Sequence, residues 1–307
     1  MYRNNHIQPA KFVFILIGII GNEFFGRRVV KALETKIDAT LIYPSLHDLR
    51  FKNKIKKIDI IHFIGSPTVS THGILTLLRF RSWNKKVIVH WIGGDAWLAT
   101  NKIIQRYYTI LFKNKINLHL AIEDRLSKML STIGLDSIEI PLPVAKFFDV
   151  MSLPTKNQVI VYAPDESEYF WRRFNGPIIK KLVKEFPDIV FVILRNSGKY
   201  FNEPNVRCFS WVENMEELYK SSIAVIRIST HDGLPTTIME ALSMGRQFIY
   251  SEPFPFCKTA KSFEEAKILL REILEKPTIN LEGSKYVREK YDSNKIADKL
   301  VEIYNNL

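Results

Sequence analysis

Short apolar runs alternate with amphipathic stretches along the whole chain, and this alternation restricts the fold more than any other feature. In the first half, residues 12–19, 39–43, 58–64, 86–91, 118–122 and 137–140 form near-continuous apolar runs that predict strands. Residues 23–33, 72–81, 102–112 and 124–133 carry helical spacing between them. Strands apolar on both faces and separated by helices make a parallel sheet covered on both sides. The stretch PLPVAKFFDVMSLPTK, residues 141–156, interrupts the pattern and reads as an interdomain linker. The alternation then restarts with QVIVYAP, a helix over 177–186, the strands DIVFVIL and VRCFSW, and the helix NMEELYKS. At 307 residues the chain can form two lobes with separate cores. The expected class is therefore α/β, with two doubly wound Rossmann-like domains. The expected boundaries are 1–145, 146–290, and a terminal helix over 291–307 with an apolar stripe of Ile296, Leu300, Val301 and Tyr304.

The segment HDGLPTTIMEALSMG, residues 231–245, carries the clearest chemistry. The apolar strand IAVIRIS leads into it and QFIYS follows it. A strand, a glycine turn and a helix N-terminus together aim unpaired N–H groups and the positive end of the helix dipole at one place, which suits an anion. Pro235 has no N–H to leave unsatisfied in the first helical turn, and Gly245 suits the stop. Asp232 and Glu240 can accept hydrogen bonds from hydroxyls on whatever carries the anion. The residues alone leave a second reading open, in which Asp232 forms a turn or cap and Glu240 is a solvated helix residue.

HDGLPTTIMEALSMGRQFI resembles the E-x7-E segment of GT-B glycosyltransferases, and among them glycosyltransferase family 4, with Asp232 in place of the first Glu. The first strand and its glycine turn, FVFILIGIIGNEFFG, the segment WVENMEELYKSS and the ending VREKYDSNKIADKLVEIYNNL are similar to the family in order, so the resemblance spans nearly the whole chain. It implies a glycosyltransferase that moves a sugar from a nucleotide-sugar to an acceptor hydroxyl, with retention and without a metal or other cofactor. By this resemblance Asp232 holds the sugar hydroxyls and Glu240 the ribose hydroxyls. The backbone of Gly233, Leu234, Thr236 and Thr237 takes the diphosphate, His90 orients the sugar or acceptor, and Val212 lines the base pocket with Trp211. In the family's GT-B plan the two doubly wound domains face a cleft, with Gly21 and Asn22 on it, and the terminal helix over 291–307 crosses back to the first domain. The family's Arg and Lys after the first strand of its second domain are not matched in YAPDESEYFWRRFNG; Arg172 and Arg173 are the nearest substitutes, with Arg195 and Arg227 further candidates. A guanidinium suits a diphosphate because it donates in bidentate fashion.

Other features bound the reading. Within VIVHWIGGDAW, His90 ends a strand and Asp95 can cap the next helix; His90 reads equally well as a structural corner residue, and His62 reads as core. Gly18, Gly21 and Gly26 approximate a dinucleotide fingerprint, but no acid ends the second strand to meet a ribose. No D-x-D pair, Cys/His cluster or nucleophile elbow is present. Cys208 and Cys257 suggest neither a disulfide framework nor a zinc site, consistent with a reducing cytoplasm. The run FVFILIGII is too short to span a bilayer and lacks a cleavage site, so it reads as a buried strand.

The net charge is +12, and nearly all of the excess lies in residues 1–150, which hold 22 Lys and Arg against 11 Asp and Glu. RFRSWNKK and KIIQRYYTILFKNK mix cations with aromatic and aliphatic residues, as a surface on anionic lipid does, although a solvated basic face has the same composition. Nucleic acid is disfavoured because no recognised module pattern appears. The expected partners are thus a nucleotide-sugar donor, a lipid-linked or saccharide acceptor and an anionic membrane surface, in envelope or exopolysaccharide assembly at the inner face of a membrane. Two rivals stay open: a nucleotide-sugar epimerase on the same fold, and a non-catalytic partner of another transferase.

Overall fold

The computed structural model describes residues 15–43, 53 and 55–307. The chain divides into two compact units, one formed by residues up to Leu142 together with Asn294–Leu307, the other by Pro143–Ser293.

In the first unit the strands are β1 (Ile17–Gly21), β2 (Ala39–Leu41), β3 (Ile60–Ile64), β4 (Lys86–Trp91), β5 (Leu118–Ala121) and β6 (Ile138–Glu139). They form one parallel sheet in the order β2-β1-β3-β4-β5-β6. The helices are α1 (Glu23–Leu33), α2 (Thr71–Ser82), α3 (Gly94–Asn101), α4 (Ile103–Phe112) and α5 (Asp124–Ser131). The sheet is buried on both faces, as its apolar strands require: every residue of β3 is buried. Of the first expected strand, residues 12–14 lie outside the described residues.

The second unit contains β7 (Gln158–Tyr162), α6 (Glu168–Arg173), α7 (Gly176–Glu185), β8 (Val190–Leu194), β9 (Val206–Phe209), α8 (Met215–Lys220), β10 (Ala224–Arg227), α9 (Thr236–Ser243), β11 (Gln247–Tyr250), β12 (Lys258–Thr259), α10 (Phe263–Glu275) and α11 (Leu281–Lys290). Its sheet is again parallel, in the order β12-β11-β10-β7-β8-β9. The strand order reverses between β7 and β10, and in such sheets ligands bind beyond the carboxyl ends of the strands at the reversal.

The stretch read as a linker is largely part of the second unit. Val144 and Phe148 are buried in the cluster that contains Ile238, Met239 and Leu242 of α9. Arg246 is fully buried and donates to the carbonyls of Met151, Ser152 and Tyr219. Helix α12 (Ser293–Asn306) buries Ile296, Ala297, Leu300 and Tyr304 against the first sheet.

Candidate functional site

The motif starts at the carboxyl end of β10, at the reversal point of the second sheet. Strand β10 lies between β7 and β11 and is buried throughout, which explains its near-continuous apolar sequence. The loop that follows is clamped by its neighbours. Ser229 N–H donates to Ser251 Oγ at 3.1 Å, and Tyr250 Oη donates to the Gly233 carbonyl at 2.7 Å. From the α6 side, Thr230 N–H donates to the Arg173 carbonyl at 2.8 Å, and Arg173 Nε donates to the His231 carbonyl at 3.3 Å.

Asp232 Oδ2 accepts from Arg227 Nε at 2.6 Å, and both side chains are buried. Asp232 Oδ1 accepts from Gly233 N–H at 3.0 Å. The guanidinium of Arg227 lies 4.0 Å above the Tyr162 ring. Burial disfavours the Arg227 charge, but the Asp232 carboxylate outweighs it and raises the pKa above the ordinary arginine value. Arg227 is therefore the internal counter-ion of the first motif acid, and Asp232 neutralises a charged side chain set in an apolar strand.

Helix α9 opens with Pro235 as its N-cap residue, without a side-chain cap. The N–H groups of Leu234, Thr236 and Thr237 have no acceptor among the described residues. The buried hydroxyl of Thr237 also lacks a partner. One turn further on, Glu240 is half-buried and its Oε2 accepts from Tyr219 Oη at 2.9 Å. Burial, followed by the Glu240 charge, holds the Tyr219 pKa well above the ordinary tyrosine value, so this phenol is a donor. Thr237 and Glu240 stand three residues apart and share a helix face. Val212 and Leu234 pack on the same apolar cluster as Tyr219 and Ile238. Glu240, Leu234, Thr236, Thr237 and Val212 thus belong to one neighbourhood around α9.

The candidate cations differ in their surroundings. Arg172 is exposed and paired with Glu168 at 2.7 Å, away from the loop contacts that Arg173 makes. Arg195 has a positive φ of 59° and pairs with Glu166 at 2.5 Å. Exposed pairs of this kind contribute little to stability, so either guanidinium can be drawn to a phosphate at small cost.

In the first unit Gly21 ends β1 at φ 148°, and a Cβ there would sit 2.3 Å from the Ile64 carbonyl oxygen. Close approach of β3 therefore already requires a glycine. His90 is fully buried, its Nε2 meets the Ile140 carbonyl at 2.6 Å, and it stacks on His62 with ring centroids 5.4 Å apart, an enclosure that favours the corner-residue reading over the ligand-facing one. Burial lowers its pKa to about 4, partly opposed by the Ile140 contact, so the ring is neutral. Asp95 is likewise structural, accepting from the backbone N–H groups of Ser66, Ile92, Gly93 and Ala96 and so joining the loops after β3 and β4.

Tyr219 and Tyr250 escaped the sequence reading because each meets the motif from another element. Arg227 left a signal, being the one charged residue in an otherwise apolar strand run. A cavity of about 450 Å³ around Gln247, Phe256 and Asn280 lies at the opposite end of β11 from the motif loop. Among the described residues no three His, Cys, Asp or Glu side chains gather as metal ligands.

No protein-family model matches the chain, and no curated protein sequence matches it. Solved structures do. HepE of Anabaena, in complex with UDP and glucose, superposes with a TM-score of 0.72 at 12% identity, over 95% of this chain and 100% of that one. Sucrose-phosphate synthase of Thermosynechococcus elongatus gives 0.72 at 11% identity, over 95% and 98%. TarM gives 0.61 at 14% identity, over 81% of this chain and 55% of its own. The fold is accordingly of the GT-B class, an α/β fold with two parallel-sheet domains.

Proposed function

We propose that the chain is a glycosyltransferase whose second unit binds a nucleoside diphosphate-sugar at the N-terminus of α9. The observation that carries this reading is the gathering, at the β7/β10 reversal, of acceptor-less N–H groups of Leu234, Thr236 and Thr237, the partnerless Thr237 hydroxyl, and a carboxylate held by Tyr219. Such donors and the helix dipole favour a diphosphate, and the carboxylate of Glu240 suits ribose hydroxyls. A uridine nucleotide is the first donor to consider, because HepE of similar fold is described with UDP and with UDP-glucose.

In the proposed retaining reaction the bond from the anomeric carbon to the diphosphate oxygen breaks, and a bond to the acceptor oxygen forms on the same face. The acceptor proton passes to the leaving diphosphate. The α9 N–H groups stabilise the charge that develops there, with a guanidinium from Arg173, or from Arg172 or Arg195 released from its pair. Asp232, Gly233 and Gly21 keep the proposed backbone and sugar-side roles, whereas His90, enclosed as it is, has a packing role. The basic first unit is the proposed acceptor side, and the acceptor a lipid-linked or saccharide hydroxyl at a membrane surface.

The test is release of nucleoside diphosphate from a panel of nucleotide-sugars in the presence of lipid-linked and saccharide acceptors, with the anomer of any product read by NMR. Transfer with retained configuration supports the reading. Donor conversion without an acceptor refutes the reading and points to the epimerase alternative, whereas transfer with an inverted product refutes the retaining step alone.

A further inference from the structure

Helix α4 is turned inside out. Its inward side carries Thr109, which is 1% exposed and bonded through Oγ1 to Thr68 Oγ1 at 2.8 Å. Its outward side carries Ile103, Ile104, Tyr107, Ile110 and Leu111, exposed by 88%, 62%, 62%, 43% and 54%. At about 100° per residue these five occupy an arc of roughly 120°, and a surface helix ordinarily puts such a stripe toward the core. Scattered apolar side chains on a surface need no explanation, but a contiguous stripe does. Leu75 and Leu78 of α2 are exposed as well, and α2 contacts the turn at Lys113–Lys115 that ends α4.

The charges around the stripe identify its occupant. Lys102, Arg106, Lys113 and Lys115 flank it, and no Asp or Glu occurs between Asp95 and Glu123. A second copy meeting this face about a two-fold axis would bring cations against cations with no acid to answer them. An anionic lipid surface satisfies both features, taking the apolar side chains below its headgroups and the cations among its phosphates. Among the described residues no helix is long and apolar enough to cross a bilayer. We propose that α4 and its flanking cations form a docking face for an anionic membrane, lying in the interfacial plane. This does not depend on the assignment of glycosyl transfer.

The test is co-sedimentation of the full chain with vesicles of equal parts phosphatidylglycerol and phosphatidylcholine, compared with pure phosphatidylcholine. Binding is expected to the anionic vesicles only and to weaken with added salt. The variant Ile103→Glu/Tyr107→Glu/Leu111→Glu should lose more than about tenfold in binding, while Lys102→Gln and Arg106→Gln should each lose about fivefold. The altered side chains point to solvent, so the melting temperature should be retained, and so should stabilisation by UDP, which reports separately on the donor site. Binding that survives the triple variant, equal binding to both vesicle types, or no binding by the wild type would overturn the proposal. So would a lipid-free dimer in sedimentation velocity that the triple variant dissolves, because a second copy would then cover the face.

Discussion

At the scale of single residues, the motif acids do different jobs. Asp232 is bound to a buried arginine, so Arg227→Met should leave a buried carboxylate without its guanidinium counter-ion and cost about 3–5 kcal/mol. Asp232→Asn/Arg227→Met together should cost less than the two single losses summed, which chemical denaturation of the four proteins would measure. Strict additivity would contradict the pairing. Glu240 is instead oriented by a phenol from α8, and Tyr219→Phe should weaken nucleotide affinity about fivefold through loss of one hydrogen bond, with calorimetry as the check. The two acids were legible because their spacing lies within fifteen consecutive residues. Their partners were less so: the Tyr219 contact bridges 21 positions, and nothing local marks it. The surroundings of His90 were hidden for the same reason, since they come from Ile140 and His62 rather than from the strand that carries it.

At the scale of elements, the apolar periodicity located the strands and most helices, because burial on both faces leaves a strong imprint on sequence. The short α6 and the packing of residues 144–152 were not legible, since both depend on tertiary contacts such as the Arg246 bonds to Met151 and Ser152. Helix α12 illustrates what such contacts carry. Tyr304 Oη meets His62 Nδ1 at 2.7 Å beneath the first sheet. Tyr304→Phe should cost about 1–2 kcal/mol by leaving that nitrogen unpartnered, and a chain ending before α12 should lose cooperative unfolding of the first unit.

The buried histidines also set a pH dependence. Burial lowers His90 and His119 to about 4 and His62 well below its ordinary value, so the unfolded chain binds more protons as pH falls below about 6.5. Stability from these groups is therefore complete above that pH and is lost between it and about 4, with up to roughly 3 kcal/mol from His90 alone. Asp95, whose carboxyl burial raises despite four backbone donors, acts in the opposite sense. Melting scans should show stability falling across this window, less steeply in His90→Gln. A flat profile in the wild type would contradict neutral burial.

At the scale of the molecule, the doubled parallel-sheet plan was readable from the restart of the strand–helix alternation, and structures of similar fold agree with it over 95% of the chain. Donor chemistry was only partly readable, because the expected Arg and Lys spacing is absent and the cations near the motif, Arg173 and Arg227, are placed by folding. The central claim is that the α9 N-terminus and Glu240 hold a nucleoside diphosphate. The most direct measurement is the melting temperature of the wild type and of Glu240→Ala with a panel of nucleoside diphosphates. A ligand at about a hundred times its dissociation constant adds near 2.7 kcal/mol, so one base should raise the wild-type transition clearly and the variant's little. No rise with any nucleotide in a well-folded wild type, or an equal rise in Glu240→Ala, would contradict the claim.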